Sequence, residues 1–117
     1  MTNAILLVDS DTEERSSLQL ALRLRGYSVL TAVNSSGAIE TASNYDKPIR
    51  LLLVDARCTG RQVGLLAQQI SQKGESAVLV IGDGDKKQES SHFQTILRPF
   101  TRAELARKIS SLIGREE

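Results

Sequence analysis

Four apolar residues followed directly by a carboxylate make up the segment Leu51-Leu52-Leu53-Val54-Asp55. An unbroken apolar run of this length is typical of a strand buried on both faces, which in a chain of this size lies in the middle of a parallel sheet. In an open α/β sheet, ligands bind outside the carboxyl ends of such central strands. Asp55 therefore either belongs to a site at that edge, where a cation, a donor or a metal offsets its desolvation, or only caps the following loop or helix.

Strand and helix patterns alternate along the rest of the chain. Apolar runs and segments rich in strand formers predict strands at 4–8, 27–32, 51–54, 77–81 and 95–97. Helical spacing and capping signals predict helices from Asp11 to Gly26, over 36–44, over 63–72 and after the capping box Thr101-x-x-Glu104. This alternation predicts a doubly wound α/β fold with five parallel strands, right-handed crossovers and helices on both faces.

Three connecting segments carry their own predictions. Residues 56–62 are expected to form a loop, and the cluster of Gly and Asp at 82–85 is expected to form a turn that ends the fourth strand. Residues 86–94 are polar and lack an apolar stripe. The helix that would join the fourth and fifth strands is therefore expected to be shortened or missing.

The composition limits the classes of protein and partner. The chain has 117 residues, of which 40% are hydrophobic and 25% charged, as expected for one domain spanning residues 1–117. A net charge of +1 gives no electrostatic basis for binding nucleic acid or an anionic membrane. No apolar run approaches the roughly 20 residues of a membrane span. The lone Cys58 cannot form an internal disulfide, and the N-terminal residues lack a basic signal-peptide segment, so a cytoplasmic location is expected.

Acidic side chains collect at the predicted strand ends. Asp9 and Asp11 follow the first strand, Asp55 ends the third, and Arg98 follows the fifth. Carboxylates that share a crevice repel one another and favour a divalent cation, and a metal beside a guanidinium forms a site for a phosphoryl group. In such a site a carboxylate can act as nucleophile and form an aspartyl phosphate. The alternative is a solvated acidic rim with Arg98 as an internal salt-bridge partner, and the residue types alone favour neither.

Short motifs in a fixed order extend across nearly the whole chain. They are Ile5-Leu6-Leu7-Val8-Asp9-Ser10-Asp11, Arg15 and Leu18 in the first helix, Gly26-Tyr27-Ser28-Val29, Ala32, Leu51 to Asp55, and Arg98-Pro99-Phe100 before the capped last helix. Together they resemble the receiver domain of bacterial response regulators. The resemblance implies a flavodoxin-like sheet with strand order 2-1-3-4-5, and a histidine kinase or other phosphorelay protein as the partner that donates a phosphoryl group.

The resemblance also implies roles for individual residues. Asp55 is implied as the phosphoacceptor, and Arg98, in the position of the family's lysine, as the second catalytic residue. The implied ligands of a Mg²⁺ ion are Asp9, Asp55 and the backbone carbonyl of Arg57.

Several positions depart from the family's pattern. Ser10 replaces the second acid after the first strand, Arg98 the lysine, Gly82 a hydroxyl-bearing residue, Thr95 an aromatic residue and Thr59 a proline. The missing carboxylate predicts weak Mg²⁺ binding, and the missing hydroxyl predicts that phosphorylation does not drive the family's usual conformational change. Two functions stay open: a phosphoryl acceptor that at most dephosphorylates itself slowly, and a pseudo-receiver that binds proteins independently of phosphorylation.

Overall fold

A five-stranded parallel sheet forms the centre of the computed structural model, which describes residues 3–59, 62–83 and 93–114. Its strands are β1 (Ala4–Val8), β2 (Ser28–Ala32), β3 (Leu51–Asp55), β4 (Ala77–Asp83) and β5 (Gln94–Arg98). They lie side by side in the order β2-β1-β3-β4-β5, and each neighbouring pair is parallel. The predicted flavodoxin-like order is confirmed, and it places the apolar strands β1 and β3 next to each other at the centre.

Helices follow the strands along the chain. They are α1 (Thr12–Arg23), α2 (Ser35–Asn44), α3 (Ala56–Thr59), α4 (Val63–Ile70) and α5 (Arg102–Ile113). The N–H of Glu14 donates to the side chain of Asp11 at the start of α1, and the predicted capping box of Thr101 and Glu104 starts α5. Both predicted helix starts are therefore confirmed.

The pleat of the sheet divides the core into two layers. One layer packs against α1 and α5 and includes Ile5, Leu7, Leu51, Leu53, Leu22 and Ile109. The other packs against α2 and α4 and includes Leu6, Val8, Leu52, Val54, Leu66 and Ile70. Because successive residues of β1 and β3 enter opposite layers, both strands are apolar without a break.

Two predicted connections are wrong. The turn predicted at 82–85 begins too early, because residues 82 and 83 continue β4 by pairing with the end of β5. Residues 56–59 form the short helix α3 instead of a loop, because the N–H of Arg57 donates to Asp55 Oδ1 at 2.9 Å and this bond caps the first turn.

Other differences are smaller. The helix predicted over 63–72 is α4 followed by a 3₁₀ turn at Ser71–Lys73. The predicted shortening or loss of the helix between β4 and β5 concerns residues 84–92, which lie outside the described residues. In the part of the chain that the structure describes, no helix is long and apolar enough to cross a membrane.

Candidate functional site at the carboxyl edge of the sheet

Two predicted site residues lie together where the central strands end. Val8 and Val54 are register partners in β1 and β3, so Asp9 and Asp55 follow them on neighbouring strands at one edge of the sheet. Both aspartates have 0% exposure. Within the described residues, they are the only charged side chains buried to this degree. Burial of two acids argues against a solvated acidic rim, because buried charges need partners.

Asp9 is held by several hydrogen bonds but keeps one oxygen without a donor. Its backbone N–H donates to the carbonyl of Ala32 at 3.0 Å, and its own carbonyl accepts from Arg15 Nη1 at 2.9 Å. Its Oδ1 accepts from the N–H of Asp11 at 2.9 Å. No donor from the described residues reaches Asp9 Oδ2, although that atom is shielded from solvent. Because a buried oxygen without a partner is costly, Oδ2 favours a proton or a cation.

Glu14 adds a third carboxylate that the sequence reasoning did not include in the site. One oxygen each from Asp9, Glu14 and Asp55 lies within 4.8 Å of the others, a spacing that suits a metal ion. We call these three residues the acidic cluster. In the sequence, Glu14 stands three residues after the cap Asp11, a spacing that indicates only the start of a helix. Its position in the first turn of a helix that follows a strand end was the available signal, since such a side chain can reach the carboxyl edge.

Arg57 and Arg98 both bind the carboxylate of Asp55. Arg57 Nε donates to Oδ1 at 3.3 Å and to Oδ2 at 3.0 Å, and its Nη2 donates to Oδ2 at 2.7 Å. Arg98 Nη2 donates to the same Oδ2 at 2.9 Å. These charge-assisted bonds offset the desolvation of Asp55. The contacts described for Arg57 come from its N–H groups, and the role of its carbonyl as a metal ligand stays a prediction.

Arg98, at the end of β5, also bonds to an acid on α1 and to an acid on β4. Its Nε donates to Glu14 Oε2 at 3.0 Å, its Nη2 donates to Glu14 Oε1, and its Nη1 donates to Asp83 Oδ1 at 3.2 Å. Asp83 and Arg98 are also register partners in β4 and β5. The sequence reasoning missed Asp83 because it ended β4 two residues earlier, and so it placed this acid in a turn.

Burial and the two arginines give the acids different pKa values. Burial, a hydrogen bond shared with Glu14, and the charges of Glu14 and Asp55 raise the pKa of Asp9 from 3.8 to about 7. Burial also acts to raise the pKa of Asp55, but hydrogen bonds from Arg57 and the charges of both arginines hold it below its ordinary value. The hydrogen bond from Arg98 likewise lowers the pKa of Glu14. Two ionised carboxylates cannot hydrogen-bond to each other, because both are acceptors. When Asp9 is protonated, its O–H can donate to Glu14.

Three nearby residues stay outside the acidic cluster. Asp11, considered as a site acid, is exposed and caps α1, with its Oδ1 accepting from the N–H of Glu14 at 3.0 Å. Ser10 is also exposed. Burial and the charge of Asp55 raise the pKa of the Cys58 thiol, which lies with Sγ 3.2 Å from the carbonyl of Asp55. A raised pKa disfavours the reactive thiolate, so Cys58 is a poor nucleophile here.

The donor set of the acidic cluster fits a divalent cation. Mg²⁺ prefers oxygen ligands and is usually held by one or two carboxylates together with water. The cluster offers three carboxylates, and the unpartnered Oδ2 of Asp9 is one of their oxygens.

Comparison with curated proteins gives one relevant relative. No family model matches the chain. The transcriptional regulatory protein AruR of Pseudomonas aeruginosa PAO1 is 27% identical over 124 residues, which cover 98% of this chain and 51% of that protein. The chain therefore spans about half the length of the curated relative that it matches.

Comparison with solved structures extends over almost the whole chain. The receiver domain of the hybrid histidine kinase CckA has a TM-score of 0.78 and 24% identity, covering 95% of this chain and 99% of that chain. The receiver domain of the sensor histidine kinase PA1611 from P. aeruginosa PAO1 has a TM-score of 0.78 and 21% identity, covering 97% and 99%. The PA1611 structure has a magnesium ion coordinated in its active-site cleft.

Proposed function

We propose that this chain, which has the fold of response-regulator receiver domains, accepts a phosphoryl group on Asp55 from a histidine kinase or another phosphorelay protein. The observation that carries the proposal is the buried carboxylate of Asp55 at the end of β3, bound by Arg98 and next to two further acids. We also propose that residues 1–117 form one receiver domain and that it lies in the cytoplasm, as predicted from the sequence.

The proposed reaction uses Asp55 as the nucleophile. A carboxylate oxygen of Asp55 bonds to phosphorus while the bond from phosphorus to the imidazole nitrogen of phosphohistidine breaks. That nitrogen keeps the electron pair and takes up a proton. The lowered pKa of Asp55 supports this role, because the carboxylate stays ionised without a separate base.

Arg98 is the proposed stabiliser of the transferred group. Its side chain is only 18% exposed, and its guanidinium is fixed by Glu14 and Asp83, with Nη2 2.9 Å from Asp55 Oδ2. A positive group fixed beside the nucleophile is already in place where negative charge collects, so it needs no reorganisation during transfer. The planar fork of an arginine can bind two phosphoryl oxygens, which a lysine cannot do in the same way.

The acidic cluster would hold Mg²⁺. When bound, the ion would supply positive charge that stabilises the oxygens of the phosphoryl group. Glu14 provides a carboxylate although Ser10 stands where an acid was expected, but Glu14 is shared with Arg98. Weak Mg²⁺ binding therefore stays the prediction.

The test is incubation with acetyl phosphate and Mg²⁺, followed by intact-mass measurement. Wild type should gain the mass of one phosphoryl group, and Asp55→Asn, which keeps the side-chain size but loses the nucleophile, should gain none. Asp46→Asn is the matched control because it makes the same change at an exposed aspartate, and it should be labelled like wild type.

Two results would contradict the proposal. Labelling that persists in Asp55→Asn would place the acceptor at another residue. Wild type that is labelled neither by acetyl phosphate nor by a phosphohistidine protein would leave the pseudo-receiver as the function.

A further inference from the structure

We propose that Arg57 is a built-in counter-ion whose guanidinium closes Asp55 until a divalent cation displaces it. The inference rests on the proposed function, because it concerns access to the same carboxylate. It adds a regulatory contact in which the free site is held closed by a residue two positions after the acceptor.

Both carboxylate oxygens of Asp55 accept several hydrogen bonds. Oδ1 accepts from the backbone N–H and Nε of Arg57, and Oδ2 accepts from Nε and Nη2 of Arg57 and from Nη2 of Arg98. A carboxylate offers about four lone-pair positions for its two oxygens. These contacts already fill them, so neither a metal ion nor a phosphorus atom can approach Asp55 while the guanidinium of Arg57 remains in place.

Arg57 is the arginine that can leave. Its side chain is 47% exposed, whereas that of Arg98 is 18% exposed. Arg98 is anchored by Glu14 and Asp83 in addition to Asp55. The other carboxylate contact described for Arg57 is with Glu14, at 3.9 Å. Rotation of Arg57 into solvent therefore breaks fewer ion pairs than movement of Arg98.

The guanidinium of Arg57 lies where a cation would bind. Its Nη2 is 2.7 Å from Asp55 Oδ2 and 3.9 Å from Glu14 Oε1, so it contacts two members of the acidic cluster. A metal ion and this guanidinium therefore compete for the same oxygens. A ligand shifts such an equilibrium only because it binds one state better than the other, and Mg²⁺ binds the open state.

The experiment measures Mg²⁺ affinity in the absence of any phosphodonor, by following amide NMR shifts of residues 9–14. Arg57→Ala should bind Mg²⁺ roughly tenfold more tightly than wild type if the closed state is populated about nine-tenths of the time. Arg57→Lys should be intermediate, because lysine keeps the charge but lacks the two-pronged contact. Arg107→Ala removes the same charge from an exposed position on α5 and should match wild type.

The Nε–H signal of Arg57 provides a second readout in wild type. Saturation with Mg²⁺ should move this signal to the position of a solvent-exposed arginine. An unchanged Nε–H signal at saturation overturns the proposal, and so does Arg57→Ala affinity equal to or weaker than that of wild type. If Arg57→Ala does not fold, the comparison of Arg57→Lys with wild type decides in the same way.

The outcomes separate this inference from the proposed function. Phosphorylation of Asp55 with equal Mg²⁺ affinity in wild type and Arg57→Ala overturns the counter-ion role alone. Tighter Mg²⁺ binding by Arg57→Ala without any phosphoryl labelling supports the counter-ion and contradicts the function. Absence of Mg²⁺ binding in wild type and in both Arg57 variants also overturns the inference.

Discussion

Replacement of Asp9 by asparagine should stabilise the metal-free protein. Asparagine has the size of aspartate, and its Oδ1 can keep accepting the N–H of Asp11. Its Nδ2 can donate to Glu14, so the substitution converts a contact between two acids into a hydrogen bond. The residue proposed to hold the metal is therefore expected to reduce the stability of the protein without the metal.

The magnitude follows from the pKa of Asp9. Its rise from 3.8 to about 7 means that ionising Asp9 costs more in the folded protein than in the unfolded chain. At about 1.4 kcal/mol per pKa unit, this sets an upper bound of about 4 kcal/mol at pH 8. Relaxation of the cluster and entry of water reduce such penalties, so we expect Asp9→Asn to gain about 1–3 kcal/mol. Each kcal/mol corresponds to about 4 °C in melting temperature for a chain of this size.

The pH dependence has a definite sign. Between pH 4 and 7 the folded protein keeps a proton on Asp9 that the unfolded chain releases, so wild-type stability should fall as pH rises through this window. Asp55 and Glu14 act in the opposite direction, because their lowered pKa values give stability that is present above their ordinary values of 3.8 and 4.5 and is lost as pH falls. The two effects occupy different pH ranges, and Asp9→Asn should remove only the first.

The assay is denaturant unfolding from pH 4.5 to 8 with a metal chelator present, and again with Mg²⁺. The free energy of unfolding of Asp9→Asn should exceed that of wild type most at pH 8. Mg²⁺ should stabilise wild type more than the variant. Asp46→Asn, the same change at an exposed position, should match wild type throughout. If Asp9→Asn is no more stable than wild type at pH 8 without metal, the electrostatic account of Asp9 is wrong.

Two further predictions concern the core and the response to phosphorylation. Leu53→Asp should unfold the protein, because an unpaired buried charge costs several kcal/mol out of a total stability of about 5–15 kcal/mol. Leu20→Asp, on the exposed side of α1, should melt at a temperature near that of wild type. Equal melting temperatures of the two variants would contradict the assigned core. Relative to Mg²⁺ alone, beryllofluoride with Mg²⁺, which imitates the phosphoryl group, should shift amides near α3 and the end of β5 only, because Gly82 has no hydroxyl and Thr95 has a small side chain. Large shifts at Asp83 and Thr95 would show that a switch operates there.

The fold could be predicted because its signal is redundant. Each central strand is an apolar run that no other part of a domain this small could accommodate, and the alternation with capped helices restricts the connections. The juxtaposition of Asp9 and Asp55 follows from the same facts, since neighbouring parallel strands end at one edge. The positions of Asp9 and Asp55 at the ends of β1 and β3 in the sequence therefore suffice to predict that they lie at the same edge.

The site residues that the sequence did not predict depend on the direction of side chains and on the residues at which strands and helices end. The sequence around Glu14 is the same whether its carboxylate returns to its own helix cap or reaches the sheet edge. Its hydrogen bonds with Arg98 and Asp9 favour the sheet edge. Asp83 was missed because a Gly-Asp pair is usually a turn, and here pairing with β5 overrides that preference. The placement of the Arg57 guanidinium on Asp55 is a rotamer choice that no sequence pattern encodes.

The acidic cluster is built largely from one short motif after β1. Asp9 accepts the N–H of Asp11, and Asp11 accepts the N–H of Glu14, whose carboxylate returns to Asp9. Each acid thus fixes the backbone of the next, and the exposed Ser10 is not needed to bring a second carboxylate to the edge. The second carboxylate of the cluster comes from Glu14 on α1 and not from position 10. Because glutamate has a long side chain, Glu14 also reaches Arg98 and holds that guanidinium beside Asp55. The departure at Ser10 and the arginine in place of lysine are therefore coupled in this structure, since Glu14 serves both the cation site and the arginine.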